Sequence, residues 1–191
     1  MLPATDFALL VIWGVFLSWW WLPALGNRTP VKKAPSRFSF FTRIAIVPAA
    51  IVIAALFLVA PQLADLRVLP DTPAIIVAGF LILLAGLSFA VWARIHLGAN
   101  WSGRPAIREN HTLTRTGPYA RVRHPIYTGI LTGLLGTGIA TGAFVTFLCL
   151  FLVFCGFLLK IRMEEEILIG EFGEEYEEYR RGTKALVPGI I

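Results

Sequence analysis

The chain has 191 residues, of which 57% are hydrophobic and 15% charged, and its mean hydropathy is +0.71. This composition excludes an ordinary soluble globular domain and is typical of membrane proteins. The net charge of +5 lies in loops beside apolar segments, which favours attraction to anionic lipid head groups over nucleic-acid binding.

Apolar segments of membrane-spanning length predict five transmembrane helices. Three of them cover residues 7–25, 44–60 and 74–93. Residues 126–159 carry no charge and as one helix would be roughly 50 Å long, against a hydrocarbon core of about 30 Å. Because Gly136, Gly138, Thr141 and Gly142 indicate a turn near the middle, we expect a hairpin of two helices that cross and return. The predicted fold class is therefore an all-α, polytopic membrane protein.

The first apolar segment lacks a basic flank before it and a small-residue cleavage site, so we interpret it as a retained helix. Three tryptophans near its end, at positions 19–21, are predicted to anchor it at the membrane interface.

Basic residues predict the orientation, because short loops rich in Lys and Arg stay in the cytoplasm. The loop after the first span carries Arg28, Lys32, Lys33, Arg37 and Arg43, and the loop after the third carries Arg94, Arg104, Arg108, Arg115, Arg121 and Arg123. Five spans then put the N-terminus outside and the C-terminus in the cytoplasm. In a bacterial cell this location would be the inner membrane.

After the hairpin, residues 160–181 have the spacing of an amphipathic helix at the cytoplasmic face. Its apolar side would consist of Ile161, Leu168, Phe172, Tyr176 and Tyr179, and glutamates fill much of the rest. Gly170 and Gly173 predict a kink. We divide the chain into N-terminal transmembrane helices, residues 1–93, and a C-terminal half, residues 94–191, in which we expect the functional site.

A mixed polar cluster, HTLTRTGPYARVRHPIYTG, occupies residues 111–129, directly before and at the start of the hairpin. Its imidazoles, phenols, hydroxyls and guanidiniums suit a small zwitterion. The alternative is a basic membrane flank followed by a helix that begins at Pro125. We predict no metal site, because His96, His111 and His124 lack paired ligand spacing. Cys149 and Cys155 are interpreted as packing residues.

A second polar cluster, RMEEE at residues 162–166, follows the hairpin. Lys160 and Glu164 are spaced for an i,i+4 ion pair. Since ionisable groups near membrane depth are usually functional, we expect Glu164 or Glu165 to face the helix bundle. A hairpin returns the chain to the face that it left, so the two polar clusters are predicted to enclose one pocket.

Together, GPYARVRHPIYTG, RMEEEILIGEFGEEYEEY and a terminal LVPGII resemble the isoprenylcysteine carboxyl methyltransferase family and related phospholipid N-methyltransferases, over residues 94–191. The resemblance implies an integral-membrane methyltransferase that uses S-adenosylmethionine and acts on a lipid-like or isoprenylated acceptor. The cofactor contacts that it implies are His111, Thr112, Leu113, Thr114, Tyr119, His124, Pro125, Ile126, Tyr127 and Glu164.

The resemblance also implies a catalytic basic residue that faces the acceptor. Direct alignment puts Lys160 where the family tends to have Arg, and Arg162 lies two places on. Methyl transfer is an in-line displacement, so a fixed cation would hold a carboxylate acceptor. For an amine acceptor Glu165 would accept the proton. Carboxylate O-methylation is favoured and amine N-methylation stays open.

Two other functions are compatible with the sequence. Membrane sterol-type reductases resemble the same half of the chain and use NADPH, for which Arg104, Arg108 and Arg115 would bind the 2′-phosphate. A non-catalytic membrane protein is the third hypothesis, although so many polar groups at one membrane face argue against it. The expected partners are a lipophilic or prenylated substrate and membrane lipids, without nucleic acid.

Overall fold

The structure is a computed structural model that describes residues 4–26, 66–98 and 112–189. These ranges contain five α-helices and no strand. The helices are α1 (Ala4–Gly26), α2 (Pro73–Leu97), α3 (Pro125–Thr141), α4 (Phe144–Phe172) and α5 (Glu174–Gly182), with a short 3-10 helix at Gly117–Ala120. The second predicted span, residues 44–60, and the basic loop before it lie outside the described residues.

Two of these helices, α2 and α4, are long and apolar enough to cross a membrane. At the start of α2, the hydroxyl of Thr72 accepts a hydrogen bond from the backbone N–H of Ile75, and Pro73 occupies the first turn. The helix runs beyond the predicted end at residue 93. Arg94 and His96 are therefore helical, which corrects their assignment to the following loop.

Helices α2 and α3 pack antiparallel through small residues. Gly79 lies against Ala140, and Gly86 lies against Gly129 and Gly133. A Cβ atom at Gly86 would come within 2.5 Å of the Gly133 backbone nitrogen, so a larger residue would force the helices apart. Small residues allow such close backbone contact between membrane helices, where van der Waals packing replaces the hydrophobic effect.

Helices α3 and α4 form the predicted hairpin, and its reversal is confirmed. Gly142 has a left-handed conformation (φ 64°) and ends α3, and its N–H donates to the carbonyl of Gly138. The N–H of Val68, in the segment before α2, donates to the carbonyl of Gly142 and thereby holds the turn. Gly136 and Gly138, however, lie inside α3. The turn thus lies at Thr141 and Gly142, at the end of the predicted range, whereas Gly136 serves close packing against Leu83.

The segment after α4 folds back over the start of α3. Helix α4 ends before Gly173 (φ 55°), which separates it from α5, whereas Gly170 lies inside α4. After α5, the backbone of residues 184–185 accepts hydrogen bonds from the N–H groups of Arg123 and His124. Leu186 is buried in a cluster against which Tyr127 and Phe154 pack. This return, residues 183–186, is called the tail below.

Aromatic side chains of α1 contact both α2 and α3. The indole N–H of Trp13 donates to the hydroxyl of Thr137 over 3.0 Å. The guanidinium of buried Arg94 lies 4.3 Å from the ring centroid of Trp20 and 5.1 Å from that of Trp19. These two tryptophans therefore bind a cation on α2, a contact that the interpretation as interface anchors did not foresee.

Candidate active site

The two polar clusters of the sequence meet at one end of the α3–α4 hairpin. His124 is the residue that precedes α3, and Tyr127 lies in the first turn of that helix. Lys160, Glu164 and Glu165 lie on α4, which runs antiparallel to α3 because of the turn at Gly142. The reversal thus brings together side chains from segments that the uncharged hairpin separates.

Tyr127 is at the centre of this meeting point. Its hydroxyl donates a hydrogen bond of 2.7 Å to Oε1 of Glu164. Its ring stacks on Phe157, with 4.5 Å between centroids, and lies parallel to the His124 imidazole at 5.5 Å. The amine of Lys160 is 5.0 Å from the Tyr127 centroid and 3.8 Å from Oε1 of Glu164. The result is an aromatic surface bordered by one carboxylate and one ammonium group.

Glu165 lies in a second, buried group of charges next to this surface. Only 6% of the residue is exposed. Its Oε1 is 2.7 Å from the Arg123 guanidinium and 3.2 Å from Nε2 of His124, and its Oε2 is 3.3 Å from Nε of Arg180. A buried carboxylate requires such partners, since an unpaired charge is costly away from water.

The segment before α3 is also held by the C-terminal residues. The hydroxyl of Tyr179 donates to the carbonyl of Tyr119 over 2.5 Å. Burial raises the pKa of Tyr179 to about 12, although the charges of Arg123 and Arg115 oppose this shift. The phenol is therefore protonated at neutral pH and remains a donor. Arg115 forms an ion pair of 2.6 Å with Glu175 on α5.

His96, at the end of α2, contacts the same segment. Its Nε2 lies 2.9 Å from the hydroxyl of Thr116. Gly117 has a positive φ of 60°, and a Cβ atom there would come within 2.7 Å of the His96 ring.

Among the described residues, no group of three or more His, Cys, Asp or Glu side chains could hold a metal ion.

The structure brings some of the predicted site residues together and separates others. His124, Pro125, Tyr127, Lys160, Glu164 and Glu165 surround the meeting point, and Ile126 is half-buried beside them. Tyr119 is buried, Leu113 and Thr114 are half-buried, and Thr112 is exposed. Arg162 is exposed on α4. His111, Arg104 and Arg108 lie outside the described residues.

Sequence reasoning did not assign roles to Arg123, Arg180 and Phe157, which contact the predicted residues. Arg123 was counted as a loop charge that sets membrane orientation and as one of the guanidiniums of the first polar cluster, without partners of its own. Arg180 is distant in the sequence from both Glu165 and Arg123, which it contacts. No local spacing therefore links it to Glu165. Phe157 stands in an uncharged run rich in phenylalanine, where nothing distinguishes it from residues that face lipid.

Comparison with solved structures shows the fold. The chain superposes with a TM-score of 0.58 on a eukaryotic intramembrane Ras methyltransferase, ICMT (isoprenylcysteine carboxyl methyltransferase), at 22% identity over 83% of this chain and 55% of that one. Fold and site thus define a polytopic α-helical membrane protein with a polar centre at one end of its hairpin. The profile of the isoprenylcysteine carboxyl methyltransferase (ICMT) family matches residues 77–170. Over this region, just under half of the chain, the sequence matches that family.

Curated relatives match about half of the chain. The protein-S-isoprenylcysteine O-methyltransferase of Schizosaccharomyces pombe is 38% identical over 101 residues, which are 51% of this chain and 43% of that protein. The cobalt-zinc-cadmium resistance protein CzcN of Cupriavidus metallidurans is 35% identical over 108 residues, 56% of this chain and 48% of the relative. The chain therefore spans less than half the length of these relatives. Neither the family nor these relatives support the NADPH-dependent reductase alternative.

Proposed function

We propose that the chain is an integral-membrane methyltransferase that uses S-adenosylmethionine and acts on a lipid-like or isoprenylated acceptor. The observation that carries this proposal is the hydrogen bond between Tyr127 and Glu164, with Lys160 beside both residues. It joins the two segments that contain the family motifs. The family match over residues 77–170 and the name of the Schizosaccharomyces pombe relative support the reaction type.

The side chains around Tyr127 fit S-adenosylmethionine by their chemistry. The cofactor combines an adenine ring, a sulfonium cation and an amino-acid group, and it would supply the methyl group. The stacked rings of His124, Tyr127 and Phe157 suit a flat base or a cation. The Glu164 carboxylate suits a positively charged group. We therefore assign cofactor binding to these residues, together with the backbone segment at residues 111–114.

Lys160 is better suited than Arg162 to meet the acceptor. Its ammonium group lies beside Tyr127 and Glu164, whereas Arg162 is exposed on α4. A fixed ammonium group would hold a carboxylate in place without forming a covalent bond. A partly dry site would help, since opposite charges cancel when the methyl group passes from the sulfonium to an anionic acceptor and leaves a neutral thioether.

The surroundings of Glu165 favour O-methylation over N-methylation. An amine acceptor would need a base, but both oxygens of Glu165 already contact cationic or hydrogen-bonding side chains. A carboxylate that bears this many favourable contacts is a poor proton acceptor. A carboxylate acceptor needs no base at all. We therefore propose that Glu165 positions its neighbours. The favoured methyl acceptor remains a carboxylate group of the substrate.

The proposed site faces the cytoplasm. The segment before α3 and the end of α5 carry many of the chain's basic residues, among them Arg115, Arg121, Arg180 and Arg181. The opposite end of the hairpin, at Gly142, contacts residues 66–69. The positive-inside rule then assigns the basic end to the cytoplasm.

Cofactor binding distinguishes this function from its rivals. We expect detergent-purified protein to bind S-adenosylhomocysteine, measured by isothermal titration, and not to bind NADPH. His124→Ala and Glu164→Gln should each weaken binding about tenfold while the unfolding temperature changes little. Glu166→Gln, at an exposed neighbouring position, is the matched control. Binding of NADPH alone would end the methyltransferase proposal, and unchanged affinity in both site variants would refute the assigned site.

A further inference from the structure

One guanidinium group connects three separate parts of the proposed site. Nε and Nη2 of Arg123 both lie 2.7 Å from Oε1 of Glu165 on α4. Nη1 donates to the carbonyl of Arg180 over 3.2 Å and also to the carbonyl of Thr183. Arg123 thereby contacts α4, the last turn of α5 and the first residue of the tail.

These contacts extend to the residues proposed to bind the cofactor. The same oxygen of Glu165 that Arg123 binds is 3.2 Å from Nε2 of His124. The backbone N–H groups of Arg123 and His124 donate to the carbonyls of Lys184 and Ala185 over 2.8 and 3.0 Å. The buried Glu165 carboxylate therefore orients the His124 ring, and the paired tail holds the His124 backbone.

The tail in turn covers the hydrophobic side of the site. Leu186 is only 2% exposed, and its cluster packs against Tyr127, Leu131 and Phe154. The hydroxyl of Thr128 donates to the carbonyl of Leu186 over 2.8 Å. Backbone pairing holds just a few residues here, and the side-chain bond from Arg123 to the carbonyl of Thr183 adds to it.

We propose that Arg123 is a positioning residue: by binding Glu165 and the carbonyls of Arg180 and Thr183, it fixes the His124 ring and fastens the tail over Tyr127. Its consequence for cofactor binding rests on the proposed function, whereas the fastening of the tail does not. Arginine suits this role because its planar fork directs several N–H groups at once. A lysine would keep the charge near Glu165 but could not reach the acceptors on both sides.

Hydrogen exchange measures the tail directly. We expect Arg123→Lys to speed amide exchange of peptides that cover residues 120–128 and 179–189 by about tenfold or more, because the pairing opens more often. Arg123→Ala should do the same and more. Arg121→Ala is the matched control, since Arg121 is exposed in the same segment. Unchanged exchange in Arg123→Lys would overturn the proposal, and so would equal acceleration in Arg121→Ala.

Kinetics separate positioning from a general loss of folded protein. We expect Arg123→Lys to raise the KM for S-adenosylmethionine about tenfold with a smaller change in kcat, because binding geometry is disturbed while the reacting groups remain. A purely structural defect would lower kcat in proportion to the active fraction and leave KM unchanged, which would contradict the proposal. If the wild-type protein binds no S-adenosylhomocysteine, the proposed function fails, and the exchange measurement still decides whether Arg123 fastens the tail.

Discussion

The hydroxyl of Tyr127 donates a hydrogen bond of 2.7 Å to the carboxylate of Glu164, and this bond joins the first turn of α3 to α4. The ammonium group of Lys160 lies beside the ring of Tyr127 and beside the carboxylate of Glu164. The bond has two consequences. It keeps the phenol ring between His124 and Phe157, and it directs the Glu164 carboxylate towards α3.

Loss of this hydrogen bond should weaken cofactor binding. Tyr127→Phe keeps the ring stack but removes the donor, so we expect the Kd for S-adenosylhomocysteine to rise about fivefold, which corresponds to roughly 1 kcal/mol. Tyr127→Leu removes the aromatic face as well and should cost more. Isothermal titration of both variants measures the difference. Wild-type affinity in Tyr127→Leu would show that Tyr127 does not contact the cofactor.

The cation that meets the acceptor can be identified by comparing two residues of α4. Lys160→Gln should raise the KM for an isoprenylated cysteine carrying a free carboxylate by about tenfold or more, because a charge-assisted contact is lost. Arg162→Gln should have a smaller effect, since Arg162 is exposed. The KM for S-adenosylmethionine serves as the control in each variant. A larger effect of Arg162→Gln would reverse the assignment of these two residues.

The hairpin could be predicted from sequence because length and charge decide it. Residues 126–159 are too long for one crossing and contain no charged residue, so a reversal was the economical solution. The position of the turn was not predictable from glycine alone. Gly142 provides the left-handed turn, whereas Gly136 allows α3 to approach Leu83. Both uses require a missing side chain, and only the partner helix distinguishes them.

The candidate site was predictable in part. The sequence placed one of two glutamates towards the bundle, and in the structure both face it. Glu164 binds Tyr127, and Glu165 binds Arg123 and His124. Successive helical residues are about 100° apart, so the two carboxylates reach different partners. The role of Arg123 depends on the return of the tail, which no local pattern encodes.

The close packing of α2 and α3 predicts a sharp difference between two glycines. A Cβ atom at Gly136 would lie 2.3 Å from the backbone nitrogen of Leu83. Gly136→Ala should therefore lower stability by about 1–3 kcal/mol through overpacking. At Gly156 on α4 no described atom lies within 4 Å of an added Cβ, so Gly156→Ala should be nearly neutral. Thermal unfolding in detergent compares them, and equal midpoints would contradict this packing.

Orientation in the membrane follows from which hairpin end is cytoplasmic, and single cysteines can report it. The background for this test replaces Cys149 and Cys155 by Ser, since both native thiols lie on α4. Asp71 and Glu178 are exposed and stand at opposite ends of the described bundle, before α2 and within α5. A membrane-impermeant maleimide should label Asp71→Cys in intact cells. It should label Glu178→Cys only after permeabilisation, because the positive-inside rule assigns the basic end to the cytoplasm. The reverse pattern would put the proposed site outside, where no cytoplasmic S-adenosylmethionine would reach it.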